Sequence, residues 1–221
     1  FPNNAQVHYL LGRSLVEAGQ FDAALPHSQA AVKLNPFVAA YRVGLGEVWY
    51  KAGDINNAIA VLQEALRLDA NQSEAHQLLG ASFTQAGDFV AAVASYQQAL
   101  VLDATNHEVS NSLAVVYSNQ GNFEAAQDIF LQLVQEFPQN LDYRLNLGVV
   151  QKELGHSALA VETLQSLLEL APNYIRAYFV LGKVYEAQGR GEDAGRIYET
   201  AMKMWPNEVL FQNALKELKQ N

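Results

Sequence analysis

One stretch of 34 residues decides the fold: residues 73–106 read SEAHQLLGASFTQAGDFVAAVASYQQALVLDATN. Apolar residues recur at helical spacing in two runs, which Gly87 separates, so the stretch predicts a helix, a tight turn and a second helix. A glycine in such a turn takes the positive φ that ends a helix without side-chain strain. Asp88, which directly follows, is a good N-cap for the second helix. The stretch therefore predicts one antiparallel helical hairpin.

The same pattern recurs along the chain with a period of 34 residues. Four columns carry it: Leu in every block, then Gly or Ala, then Gly at the turn, then Ala, which are Leu79, Gly80, Gly87 and Ala92 in this stretch. Small residues let two helices approach closely, and the leucine fills the groove beside them. A fixed period predicts stacked repeats. The six predicted repeats are 5–38, 39–72, 73–106, 107–140, 141–174 and 175–208.

Two short segments flank the six repeats. Residues 209–221 have an apolar side that includes Phe211 and Ala214, and they predict a capping helix, which a solenoid needs at its end. Residues 1–4 occupy the same places in the repeat as residues 137–140. We therefore expect residues 1–4 to end a preceding, truncated repeat, and the uncapped first hairpin to be a surface for self-association.

Composition excludes several classes of function. The chain of 221 residues carries a net charge of −9 and has a pI near 5.0, which argues against binding nucleic acid or anionic membranes. The absence of cysteine excludes disulfides and thiolate metal sites. No run of 18 or more apolar residues occurs, so we expect no membrane insertion and a soluble chain, in a compartment that the sequence leaves unknown.

The repeated columns resemble the tetratricopeptide repeat family, whose pattern of Leu-Gly, aromatic, Gly, aromatic and Ala they follow over the whole chain. Residues 73–106 contain this pattern as Leu79-Gly80, Phe83, Gly87, Phe89 and Ala92. The resemblance implies an all-α, right-handed superhelical solenoid of six antiparallel hairpins with a C-terminal capping helix. It also implies that the first helices of successive hairpins line a concave groove, the usual ligand site of the family.

The resemblance assigns candidate residues to this groove. They are the positions of the first helices that remain when the columns facing the partner helix are removed. Their amide and apolar side chains suit an extended peptide or a partner helix. The candidate groove residues are Tyr9, Arg13, Val43, Glu47, Tyr50, Glu74, Gln77, Ala81, Glu108, Asn111, Val115, Asp142, Leu145, Asn146, Val149, Phe179 and Lys183.

The middle of the chain is acidic. No Lys or Arg occurs between Arg67 and Arg144, whereas nine Asp and Glu residues do. Three of them, Glu74, Glu108 and Asp142, recur one period apart, which predicts a row of carboxylates facing a basic partner. The alternative is that these carboxylates occur in a first helical turn only because the positive end of the helix dipole stabilises them there.

No residue pattern predicts catalysis, a cofactor or a metal site. Residues 189–194 match a loose dinucleotide fingerprint, but they lie at a turn between two helices, whereas that motif needs a preceding strand. The five histidines are scattered along the sequence and predict no metal ligation. The chain is therefore predicted to be a protein–protein interaction scaffold that binds a peptide or helical segment of its partner. The alternative is a substrate-recognition or regulatory region of a larger enzyme whose catalytic part lies elsewhere.

Overall fold

The computed structural model describes residues 3–218, which are all-helical, with thirteen α-helices and no strand. This confirms the all-α prediction. The helices are α1 (Ala5–Glu17), α2 (Phe21–Leu34), α3 (Ala39–Lys51), α4 (Ile55–Leu68), α5 (Ser73–Ala86), α6 (Phe89–Leu102), α7 (His107–Asn119), α8 (Phe123–Glu136), α9 (Leu141–Glu153), α10 (Ser157–Leu170), α11 (Ile175–Ala187), α12 (Gly191–Met204) and α13 (Val209–Leu218). Within this described part of the chain, no helix is both long and apolar enough to cross a membrane.

The helices form two compact units, whose boundary in the sequence lies between Gln120 and Gly121. In unit 1, α1 packs against α2, α3 against α4, and α5 against α6, while α1, α3, α5 and α7 also contact one another in that order. In unit 2, α9 packs against α10, α11 against α12, and α9 against α11. Odd-numbered helices therefore lie side by side within each unit.

The glycine predicted at each hairpin turn has the expected backbone conformation. All six of these glycines have a positive φ, from 70° at Gly189 to 86° at Gly53, which confirms the prediction. A Cβ added at Gly87 would meet no atom within 4 Å. The glycine is therefore required by the left-handed backbone and not by lack of space.

The predicted N-caps also form. The Asp88 side chain accepts a hydrogen bond from the Ala91 N–H at 3.0 Å, and Asp54 caps α4 in the same way. Each carboxylate satisfies a backbone N–H that the first helical turn leaves without a partner.

Within a hairpin, the small residue after the signature leucine makes room for a large side chain of the second helix. A Cβ on Gly80 would lie 2.6 Å from the Tyr96 ring, and one on Gly182 would lie 2.1 Å from the Tyr198 ring. Both tyrosines are buried, as is Leu79. The close approach of α5 and α6 thus depends on Gly80. The Tyr96 side chain extends from α6 across the surface of α5 at this glycine.

The segment predicted as a capping helix contains α13. Phe211 and Ala214 are buried in a core cluster with Leu181 and Tyr198. The last three residues of the predicted segment, 219–221, lie outside the described residues. So do Phe1 and Pro2, which belong to the segment predicted to end a preceding repeat.

Candidate functional site

Five of the candidate groove residues line a single cavity of about 380 Å³ in unit 1. Glu47 and Tyr50 reach it from α3, whereas Glu74, Gln77 and Ala81 reach it from α5. The wall is completed by residues that were not among the candidates, namely Lys51, Leu78, Tyr96 and Ser112. The cavity therefore combines carboxylates, an amide, hydroxyls and an apolar surface.

Tyr96 supplies a hydroxyl to the cavity from the second helix of its hairpin. Its ring lies against Gly80, and its hydroxyl lies near the Thr84 and Ser112 side chains. Burial raises the pKa of Tyr96, so the side chain is a neutral phenol near pH 7. The first helices alone do not build this site.

One of the two carboxylates of the cavity, Glu47, is disfavoured in its charged form. Burial, followed by repulsion from Glu74, raises the pKa of Glu47, while Arg13 and Lys51 act in the opposite direction. Among the described residues, neither Glu47 nor Glu74 has an ion pair within 4.0 Å or a side-chain hydrogen bond. Both carboxylates therefore remain available to a donor or a cation.

Beside the cavity, Arg13 is held by Tyr9 on the same helix. Its Nη1 donates a hydrogen bond to the Tyr9 hydroxyl at 3.3 Å, and its Cζ lies 5.9 Å from the centre of the Tyr9 ring. The Tyr9 ring packs on Gly44 of α3, where a Cβ would lie 3.0 Å from the ring. Tyr9 thus fixes the guanidinium at the surface of α1.

The candidates on α7 include one buried polar atom without a partner. The Asn111 Oδ1 is buried, and no group of the described residues donates a hydrogen bond to it. An unpaired buried carbonyl costs free energy that a hydrogen-bond donor would recover. Glu108 and Val115 on the same helix are exposed.

Two candidates, Val43 and Leu145, are core residues instead of surface residues. Val43 is 2% exposed and packs in a cluster with Leu62, whereas Leu145 is 1% exposed and packs with Leu164. Neighbouring odd-numbered helices and the second helix of the hairpin enclose both side chains. Neither residue can contact a ligand in this structure, and their assignment to a groove surface was wrong.

In unit 2 the charged candidates are already paired. Asp142 accepts a hydrogen bond from the Tyr174 hydroxyl and lies 3.8 Å from Arg176. Lys183 donates to Glu186 at 2.9 Å, and its Nζ lies 5.7 Å from the centre of the Phe179 ring. The remaining candidates of this unit, Asn146 and Val149, are partly exposed on α9.

The three carboxylates of the proposed row therefore differ in their interaction partners. The side chains of Glu74 and Glu108 have no hydrogen-bond or ion-pair partner among the described residues, whereas that of Asp142 has two. The Ser112 hydroxyl near Glu108 donates to the backbone oxygen of Glu108 and not to its carboxylate. The two carboxylates of the row that have no partner, Glu74 and Glu108, both lie on unit 1.

Family models match the chain over most of its length. Models described as tetratricopeptide repeat match residues 9–73, 50–107, 83–147, 120–184 and 177–210. The chain belongs to the tetratricopeptide repeat family. No curated protein sequence matches it.

Solved structures with the same fold are similar to this tetratricopeptide repeat chain over most of its length. PilF of Pseudomonas aeruginosa has a TM-score of 0.76 at 14% identity, covering 96% of this chain and 97% of its own. YrrB, described as a tetratricopeptide protein with an unusual peptide-binding site, has a TM-score of 0.74 at 18% identity, covering 86% and 97%. MamA has a TM-score of 0.66 at 26% identity, covering 72% and 93%.

The structure also brings together two histidines that looked unrelated in the sequence. The His8 and His27 Nδ1 atoms are 3.0 Å apart, and their ring centres are 5.2 Å apart, on the two antiparallel helices of the first hairpin. Comparing positions across the hairpin turn, instead of between repeats, would have paired them. No group of three or more potential metal ligands occurs among residues 3–218 of this tetratricopeptide repeat chain.

Proposed function

We propose that this tetratricopeptide repeat chain is a protein-interaction scaffold and that the odd-numbered helices of unit 1 bind an extended peptide segment of its partner. The observation that carries this proposal is the cavity of about 380 Å³ that Glu47, Tyr50, Glu74, Gln77 and Ala81 share. Its volume falls within the range of roughly 300–1,000 Å³ typical of ligand pockets.

The polar groups around this surface suit a peptide backbone. The Gln77 amide lines the cavity, and Asn111, next in sequence to the lining residue Ser112, is partly exposed, although its Oδ1 is buried without a donor among the described residues. An extended peptide presents N–H and C=O groups at regular intervals, and side-chain amides can both donate to and accept from them. Leu78 and Ala81 add apolar surface for a peptide side chain.

The fold supports the same proposal. YrrB, which has a similar fold, is described as having a peptide-binding site. Two other cavities lie away from the candidate groove residues. One of about 460 Å³ is lined by residues 19–23, at the turn and the start of α2, together with Lys51 and Ala52, and one of about 400 Å³ is lined by parts of α10, α11 and α12. Neither contains a candidate groove residue.

The proposal predicts that amide substitutions on α5 and α7 weaken peptide binding. Short peptides would be selected from a random library on the wild-type chain, and their Kd measured by fluorescence anisotropy. Replacing Gln77→Ala and Asn111→Ala together should raise the Kd about tenfold, because each lost hydrogen bond contributes roughly 0.5–1.5 kcal/mol.

A matched control makes the same kind of change elsewhere. Gln63→Ala and Gln98→Ala remove two exposed glutamine side chains from α4 and α6, outside the cavity lining. The control variant should bind every selected peptide as the wild type does. Peptides whose Kd is the same for the wild type and for the Gln77 and Asn111 variant would contradict the proposal.

A further inference from the structure

The cavity of unit 1 has the chemistry to select one kind of side chain. We propose that it receives a lysine or arginine side chain of the bound peptide, with the charged end beside Glu47 and Glu74 and the methylene groups against Leu78 and Ala81. This inference rests on the peptide-binding function proposed above and names the chemistry of the ligand.

Two carboxylates that lack partners line one cavity, whereas some carboxylates elsewhere already have a donor or a cation. On the same unit, Glu64 accepts a hydrogen bond from Arg42 at 3.3 Å. In unit 2, Glu186 is held by Lys183 and by the Tyr198 hydroxyl, at 2.9 and 2.6 Å. Glu47 and Glu74 line a cavity and have no such contact within the described residues.

A cation in the cavity would offset an existing electrostatic cost. Burial and the charge of Glu74 both disfavour the ionised form of Glu47 and raise its pKa, and Glu17 adds to the repulsion. A positive charge placed near both carboxylates would offset the repulsion and part of the desolvation. A neutral peptide side chain would increase the burial without offsetting the charge.

Two cations of the chain, Arg13 and Lys51, already lie near Glu47. Arg13 is held by Tyr9, and Lys51 is exposed, with its Nζ 6.0 Å from the centre of the Tyr50 ring. The position of Lys51 shows that the Tyr50 ring can take a cation over its face, an arrangement that aromatic rings favour. An exposed, flexible lysine can move aside for a ligand, so we expect Lys51 to compete weakly with it.

The remaining walls of the cavity supply no lysine or arginine side chain. The helices α5, α6 and α7 lie in the stretch between Arg67 and Arg144, which contains no Lys or Arg. Their contribution to the cavity is the Glu74 carboxylate, the Gln77 amide, the Tyr96 and Ser112 hydroxyls and the apolar side chains. Lysine and arginine match such a wall because their stems are apolar and only their ends are charged.

The test uses labelled short peptides that were selected on the wild-type chain from a random library. Glu47→Gln and Glu74→Gln should each raise the Kd about tenfold for a peptide that carries an essential Lys or Arg. Lys51→Gln should lower the Kd about twofold, because it removes the competing cation. Replacing the essential Lys or Arg of the peptide by Gln should abolish the effect of all three substitutions, as expected of directly coupled groups.

The matched control is Glu162→Gln, which removes an exposed carboxylate of α10 that does not line the cavity. It should leave the Kd unchanged. General attraction of a basic peptide to an acidic protein would instead make Glu162→Gln and Glu47→Gln equivalent, and this result would overturn the inference.

Failure of the inference is distinguishable from failure of the proposed function. Selected peptides that lack Lys and Arg, or that lose affinity with the Gln77 and Asn111 variant but not with Glu47→Gln or Glu74→Gln, would overturn only the cation pocket. Peptides that respond to none of these variants would overturn both proposals.

Discussion

At the scale of single residues, Glu47 is a carboxylate that the folded state disfavours. Burial and the neighbouring Glu74 raise its pKa. A raised pKa means that the protonated form contributes stability, which is fully present below the unfolded-state pKa and is lost as pH rises through the folded-state pKa. At neutral pH, Glu47 therefore lowers the free energy of unfolding.

The raised pKa of Glu47 predicts how Glu47→Gln changes the free energy of unfolding, because glutamine is uncharged at every pH. The variant should be more stable than the wild type at pH 7, by less than about 1 kcal/mol because the side chain is partly exposed. The difference should shrink as the pH is lowered toward 4, where the wild-type carboxyl becomes protonated. Urea denaturation at the two pH values measures both effects, with Glu162→Gln as the control. A loss of stability at pH 7 would mean that Glu47 has a stabilising partner.

The residue scale is also where sequence-based prediction of the site was least complete. The repeat frame identified Glu47, Tyr50 and Gln77, but it also assigned Val43 to the surface, although Val43 is 2% exposed. The frame fixes which side of a helix a residue occupies. Whether the residue is then covered depends on the sizes of side chains on adjacent helices, which differ from repeat to repeat. Tyr96 was missed because its hydroxyl reaches the cavity from a second helix.

At the scale of helices, the sequence was far more informative. The turn glycines, including Gly87, and the caps, including Asp88, were predicted correctly because each follows from the local backbone conformation. Contacts of the small-residue column are local too, since both partners belong to one hairpin. Gly182 on α11 faces Tyr198 on α12, for example.

The last of these hairpins provides a prediction with an internal control. Gly182→Ala places a Cβ about 2.1 Å from the buried Tyr198 ring and should destabilise the chain by roughly 1–3 kcal/mol, as overpacking does. Gly195→Ala, on α12, places its Cβ 3.6 Å from Leu218, an ordinary contact, and should stabilise by roughly 0.5–1 kcal/mol through helix propensity. Thermal and urea denaturation measure both. Equal changes in the two variants would contradict the close contact with Tyr198.

At the scale of the whole molecule, a hairpin is stabilised by the helices that pack on it within its unit, and the burial of the leucine column shows this. Leu45, Leu79, Leu113 and Leu147 are between 4% and 8% exposed, whereas Leu11 is 41% exposed. Leu11 belongs to α1, which packs against the helices that follow it, α2 and α3. The same residue in the same column thus has two environments, as expected when stability is a sum of nearest-neighbour terms.

The two environments predict different costs for one substitution. Leu79→Ala should lower the free energy of unfolding by roughly 2–5 kcal/mol, the range for truncating a buried leucine. Leu11→Ala should cost about 1 kcal/mol, because less of its apolar surface leaves water on folding. Both lie in unit 1, so urea denaturation followed by circular dichroism compares them in one transition. Similar losses would mean that the exposed side of α1 is covered in solution, and self-association measured by sedimentation would then identify a second copy of the chain as the cover.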